Sequence, residues 1–132
     1  TPPGRRAGTT SGMRPHRIGQ ILEQDARSYL ERRGLRHLAA NVRCPGGELD
    51  LVMMDGDTLA FVEVRGRRGE QFGSAAESVT RDKQDRLIRA AEFFLAKRPK
   101  LARHGCRFDV IAVDLSTEPS RMEWIKDAFE TG

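Results

Sequence analysis

The chain has 132 residues, 38% hydrophobic and 32% charged, with a formal net charge of +4; that length suits one domain with one core, and the composition lies outside the disordered range. No apolar run approaches the roughly 18 residues a membrane helix needs, so no membrane partner is expected. No signal-like apolar stretch follows the N-terminus, and two cysteines, Cys44 and Cys106, are too few for a disulfide framework or a structural zinc site, so a cytoplasmic location is expected.

Residues 1–16 hold three Pro, three Gly and three Arg with almost nothing apolar, and read as a flexible basic arm. The first residue is Thr1 rather than Met, so a processed or trimmed start is expected. Residues 17–132 read as a single domain. Ile18, Ile21, Leu22, Ala26, Tyr29 and Leu30 recur at helical spacing and predict a helix over 18–33, stopped by Gly34. Residues 36–44 predict a strand that breaks at Pro45-Gly46-Gly47. Residues 48–54 and 58–65 predict a hairpin about the turn signal Asp55-Gly56-Asp57. A Gly-rich, charged loop over 66–79 leads to a helix from Thr80, a suitable N-cap, to Arg98 before Pro99. Its apolar face is Leu87, Ala90, Ala91, Phe94 and Leu95, and its wet side carries Asp82–Arg86 and Asp85–Arg89 at i,i+4 spacing. Residues 106–115 predict a strong strand, and 121–127 an edge strand with Trp124. The order α-β-β-β-α-β-(β) is that of an α/β fold with a mixed central sheet flanked by helices.

Alternation along the hairpin singles out its carboxylates. Glu48 and Asp50 share one face of the first strand, opposite Leu49, Leu51 and Met53; Phe61, Glu63 and Arg65 share one face of the second. A Gly56-Asp57 turn sets Asp50 opposite Glu63 and Glu48 opposite Arg65. An Asp55-Gly56 turn sets Glu48 opposite Glu63. Both registers oppose like charges, which destabilises a sheet, and Glu63 interrupts an apolar run where an unpartnered carboxylate is costly. Two resolutions are open. A divalent cation such as Mg2+, which takes oxygen ligands and keeps several waters, would relieve both penalties. Alternatively, Arg65 and Arg43 neutralise the pair in a salt-bridge cluster. Glu23 sits at the margin of the first helix's apolar stripe, where an ordinary solvent-facing role competes with one at the sheet. Lys83 points toward the packed side of the second helix near its N-terminus, where a cation opposes the helix dipole; a snorkelling lysine is the alternative. Both cysteines are expected to be small buried residues. His16, His37 and His104 show no ligand spacing.

Charge is segregated along the chain. Residues 1–47 carry nine Arg against three acids, whereas 48–132 carry 14 cations against 16 acids. A basic segment beside a near-neutral domain is consistent with a polyanionic partner such as nucleic acid.

The ordered motifs Gly19-x-x-x-Glu23-x-x-Ala26-x-x-Tyr29-Leu30, Asn41-x-Arg43, Gly47-Glu48-Leu49-Asp50-Leu51-Val52, Phe61-Val62-Glu63-Val64-Arg65-x-Arg67, Phe72-Gly73, Lys83-x-x-Arg86-Leu87 and Arg107-Phe108-Asp109-Val110 resemble the YraN-like family of small bacterial proteins over about residues 17–129. That family resembles a branch of the PD-(D/E)XK superfamily, with the restriction-endonuclease-like fold seen in Holliday-junction resolvases. The resemblance implies a single nuclease-like domain that cleaves DNA phosphodiesters with Mg2+ or Mn2+. Asp50 matches the metal-binding Asp, Glu63 the acid of the (D/E)-x-K signature, Arg65 its Lys position, and Glu23 the Glu of the first helix. Metal ligands are then Asp50, Glu63 and Glu23, with Glu48 beside them. Arg43, Arg67 and Arg68 are expected to bind flanking nucleic-acid backbone.

Resolvase-like enzymes act as two-fold dimers, which implies a homodimer, although no residue pattern marks a dimer surface. The chain departs from the family's usual Glu-Val-Lys by carrying Glu63-Val64-Arg65. Arginine stays protonated and cannot act as a base, but it can clamp a phosphate oxygen. Three outcomes are open: hydrolysis without a basic lysine, hydrolysis with Lys83 reaching in, or a weakened nuclease that binds nucleic acid or a protein partner without cleaving. The scarcity of aromatics argues against single-strand stacking platforms and for duplex or branched DNA.

Overall fold

The computed structural model describes residues 15–68 and 75–129, with side chains described from Gly19. The expected arm lies outside the described residues up to position 14, as do Phe72-Gly73 and the Ile18 side chain. Helix α1 runs Pro15–Arg32 and starts three residues before the expected boundary. A proline suits a first helical turn because its missing N–H has no partner there anyway. Gly34, at φ 96°, ends the helix as its position implied. The Leu35 N–H returns to the Leu30 carbonyl at 3.1 Å and the Gly34 N–H to that of Glu31 at 3.0 Å.

Strands β1 (Arg36–Cys44), β2 (Gly47–Asp55) and β3 (Thr58–Arg67) follow, then helix α2 (Arg81–Ala96), the single turn α3 (Pro99–Ala102), β4 (Gly105–Asp114) and β5 (Arg121–Phe129). The five strands form one mixed sheet in sequence order. β3 and β4 are parallel and the other neighbours antiparallel. The α/β layout expected from the pattern is therefore the observed one, with 121–129 a full edge strand. No helix among the described residues is long and apolar enough to cross a membrane.

One helix covers each face of the sheet. Leu87, Ala90, Ala91 and Phe94 of α2 pack on Leu49, Val52, Leu59, Phe61, Phe108 and Val110. Ala26 and Leu30 of α1 pack on Leu51, Met53, Ala60, Val62 and Ile111. Phe61 anchors the first layer, edge-on to Phe94 at 6.0 Å and stacked on Phe108 at 5.4 Å. The Thr80 side chain caps α2 by accepting the Lys83 N–H.

Four local expectations are corrected. Ile21, assigned to the apolar stripe of α1, is exposed, because the face that meets the sheet is centred on Ala26 and Leu30. Cys106 is exposed, because it lies at the open start of β4, and Cys44 is half-buried. Among the described residues, the i,i+4 ion pair on α2 is Arg81–Asp85 at 3.4 Å rather than the expected Asp82–Arg86 and Asp85–Arg89. Leu49 does not share a face with Leu51 and Met53 but packs with Val52 and Met54 under α2.

The last correction has a local cause. Asn41 adopts φ 53°, a left-handed conformation that Asn tolerates better than most residues. The β1–β2 register passes from Ala40–Leu51 to Val42–Leu49, and Asn41 and Asp50 are not among the paired residues. Both strands change faces at this step.

Candidate active site

Asp55 pairs with Thr58, so the hairpin closes on Gly56-Asp57 and adopts the register that directs Asp50 toward Glu63. Pairing between β2 and β3 stops at Leu51–Val62, one step short of that pair, whereas β3 stays paired with β4 as far as Arg67–Asp114. The hairpin therefore forks, and the Asp50 carboxylate enters the fork. Its Oδ2 accepts the Val64 N–H at 2.9 Å, a donor that the ladder would otherwise have used. Because the fork coincides with the change of face on β2, Asp50 meets groups from both sides of the sheet. Its charge acts on Glu23 of α1 and on Glu63 of β3.

Glu63 is buried, with 5% of its surface exposed. Its Oε2 lies 3.4 Å from Lys83 Nζ and 3.4 Å from an Arg65 nitrogen. Its Oε1 is buried without a hydrogen-bond partner, and so is Oε1 of Glu23. Burial and the Asp50 charge push the Glu63 carboxyl up to about 7, against the lowering effects of Lys83 and Arg65. Burial and Asp50 push Glu23 to about 7 as well, while a hydrogen bond from Asn41 lowers it and the Glu48 charge raises it. Crowded carboxylates held out of water favour protonation, because removing charge relieves both desolvation and repulsion.

The structure thus brings Glu23, Asp50, Glu63, Arg65 and Lys83 together from four elements. Glu48 is exposed and joins through its charge on Glu23. It does not face Arg65, as the extended register implied, because the ladder has already ended. Arg43 is exposed beside Glu48 across the β1–β2 ladder and does not neutralise Glu63; Lys83 takes that role. The Arg65 guanidinium is engaged by Ser78 and Glu63. Its Nε donates to Ser78 Oγ at 3.2 Å, a terminal nitrogen donates to the Ser78 carbonyl at 3.2 Å, and the other reaches Glu63. Arg67 is half-buried, with its Nε lacking a partner, and Arg68 is exposed.

Two participants carried no assigned role in the sequence. Asn41 has a weak signal, a low-propensity residue within an otherwise regular strand pattern. Ser78 lies in a polar stretch with nothing to distinguish it.

Salt bridging and metal binding can now be weighed as accounts of the carboxylate pair. Ion pairs satisfy Oε2 of Glu63 but leave its Oε1 and that of Glu23 unsatisfied, each a penalty of about 1–3 kcal/mol. Among the described residues, no three His, Cys, Asp or Glu side chains converge into a ready-made metal cage. The donors form instead two carboxylate pairs that share Asp50. Hard oxygen donors, few in number and with lone pairs to spare, fit a cation of the Mg2+ type that retains waters.

Residues 22–113 match the family described as "Uncharacterised protein family UPF0102". A UPF0102 protein of Ectopseudomonas mendocina is 53% identical over 114 residues, covering 86% of this chain and 94% of its own length. One from Herminiimonas arsenicoxydans is 54% identical over 114 residues, covering 86% and 87%. One from Pseudomonas aeruginosa is 48% identical, covering 85% and 91%. The matched span begins beside Glu23 and takes in Asp50, Glu63, Arg65 and Lys83. Matched over residues 22–113 and by relatives of nearly equal length, the chain belongs to the UPF0102 family.

Proposed function

We propose that the chain is a metal-dependent nuclease acting on DNA phosphodiesters, with the restriction-endonuclease-like arrangement of the PD-(D/E)XK superfamily. The observation that carries this reading is the fork at Asp50, which draws carboxylates from α1 and β3 together and leaves two buried oxygens without partners. Asp50 and Glu63, with Glu23 and at greater remove Glu48, would hold Mg2+ or Mn2+. Such a cation, when bound, would supply Lewis acidity toward a phosphate. Lys83, 3.4 Å from Glu63, is the ammonium best set to orient a water or stabilise developing charge, a role the signature lysine would otherwise fill. Arg65 acts through Ser78 and holds residues 75–79, which lead into α2, against β3. Arg43, Arg67 and Arg68 contact flanking backbone.

A second reading, binding without hydrolysis, draws on the commitment of Arg65 to Ser78, which leaves no arginine at the signature position to clamp a phosphate. Purified full chain with Mg2+ or Mn2+ on linear, flap and junction DNA separates the two. Cleavage that Asp50→Ala and Glu63→Ala both abolish supports the nuclease. Salt-sensitive binding of every substrate without cleavage supports the second reading, and absence of both refutes each.

A further inference from the structure

Beside the carboxylates lies a cleft of about 240 Å3 between α1 and β1, and Glu23 belongs to both. Its polar walls hold three carboxamides, Gln20 and Gln24, one turn apart on α1, and Asn41 on β1, beside Glu23 and Arg27. Ala40 and Leu51 supply apolar backing. Its lining charges among the described residues are one of each sign, Glu23 and Arg27, the latter also 3.1 Å from Glu31, so the cleft carries no net positive charge for a phosphate. Asn41 holds the left-handed conformation at the interruption of the β1–β2 ladder and lines the cleft beside Glu23. Residues held in sparsely populated conformations cluster at ligand sites, where the surrounding fold sustains them.

We propose that this cleft receives a single unpaired nucleobase from the strand whose backbone lies at the carboxylates. This rests on the nuclease reading and names its substrate class, DNA carrying an unpaired nucleotide at the cut. A carboxamide presents a donor and an acceptor side by side, the pattern that matches a base edge, and small apolar side chains back the ring. A base inside a duplex cannot enter a walled cleft without leaving its stack, so a nucleotide already unpaired enters at lower cost. The same carboxamides would also accept a peptide group, but a peptide has no phosphate to bring to the adjoining carboxylates.

Two measurements test the proposal separately from the nuclease. In the first, the 15N-labelled full chain in EDTA is titrated with deoxynucleoside monophosphates, with deoxyribose 5-phosphate and with a blocked dipeptide, following side-chain amide signals. Signals of Gln20, Gln24 and Asn41 are expected to move with the nucleotides alone, and Gln20→Ala/Gln24→Ala to weaken that binding about tenfold, in the range a two-pronged amide–base contact discriminates. No movement, equal movement with the base-free sugar phosphate, or movement with the dipeptide alone overturns the proposal.

In the second, cleavage of a continuous duplex is compared with cleavage of the same duplex carrying one unpaired nucleotide. The unpaired substrate is expected to be cut about tenfold faster, and the double variant to narrow that ratio. Equal rates in the wild-type chain overturn the base cleft and leave the nuclease standing. Loss of all cleavage with the nucleotide-induced shifts intact overturns the nuclease and leaves a base-binding cleft.

Discussion

Glu63 carries opposed demands in one side chain. Burial and Asp50 favour its neutral form, whereas Lys83, Arg65 and any bound cation favour its anion. Its folded value of about 7 lies above the ordinary 4.5, so between those values the folded chain binds more protons than the unfolded one. The stability contributed by the neutral carboxyl is therefore complete below about pH 4.5 and is lost as the pH rises through about 7. Glu23 shifts in the same direction, with less burial behind it. In EDTA, the urea midpoint of the wild-type chain is expected to fall between about pH 5.5 and pH 8, and that of Glu63→Gln to fall less. Mg2+ at about pH 8 should raise the wild-type midpoint and move the variant less. An identical decline in both proteins would rule Glu63 out as its source. Asp50 and Glu63 were legible because alternation and an even-length turn keep both on one face of the hairpin whichever register is chosen. Asn41 was not, since its conformation answers to a break in pairing that no local pattern encodes.

The placement of α2 turns on a glycine. A Cβ built on Gly47 would stand 2.9 Å from the Arg86 carbonyl oxygen, a backbone atom that cannot swing aside. Strand β2 and helix α2 thus approach closely one turn beyond Lys83. Gly47→Ala is expected to cost about 1–3 kcal/mol in urea unfolding. By displacing α2 it should also loosen the Lys83–Glu63 contact, which would shift the pH dependence of stability further than the bulk effect alone. A variant as stable as wild type would show that the helix can retreat freely. The elements themselves were readable to within a few residues. Gly34, Thr80 and Pro99 act as local stops and caps, and their chemistry does not depend on partners. The change of face at Asp50 was not readable, because strict alternation assumes an unbroken ladder.

For the whole molecule, Arg36 and Arg43 from the basic segment and Asp50 and Glu63 from the near-neutral one lie on a single sheet. Arg43 sits beside Glu48 on the outer hairpin, and Arg67 and Arg68 extend β3 beyond Glu63, so positive charge flanks the site. If these arginines meet phosphates, the affinity for duplex DNA should fall steeply with salt. Arg67→Ala/Arg68→Ala should reduce the slope of log K against log salt by about 2, near one unit for each lost contact. Fluorescence anisotropy across a salt series checks this, and an unchanged slope excludes both residues from the interface.

The identity and order of the elements, and the placing of carboxylates from both hairpin strands near one another, follow from short-range chemistry: side-chain period, turn length and capping. The meeting of Glu23, Asp50, Glu63 and Lys83 follows from packing. It needs a fork in the hairpin, a left-handed Asn41 and two helices set on opposite faces of one sheet. Those contacts join residues as far apart as 23 and 83, and their geometry is set by close packing across the sheet, which no pattern within a single segment records.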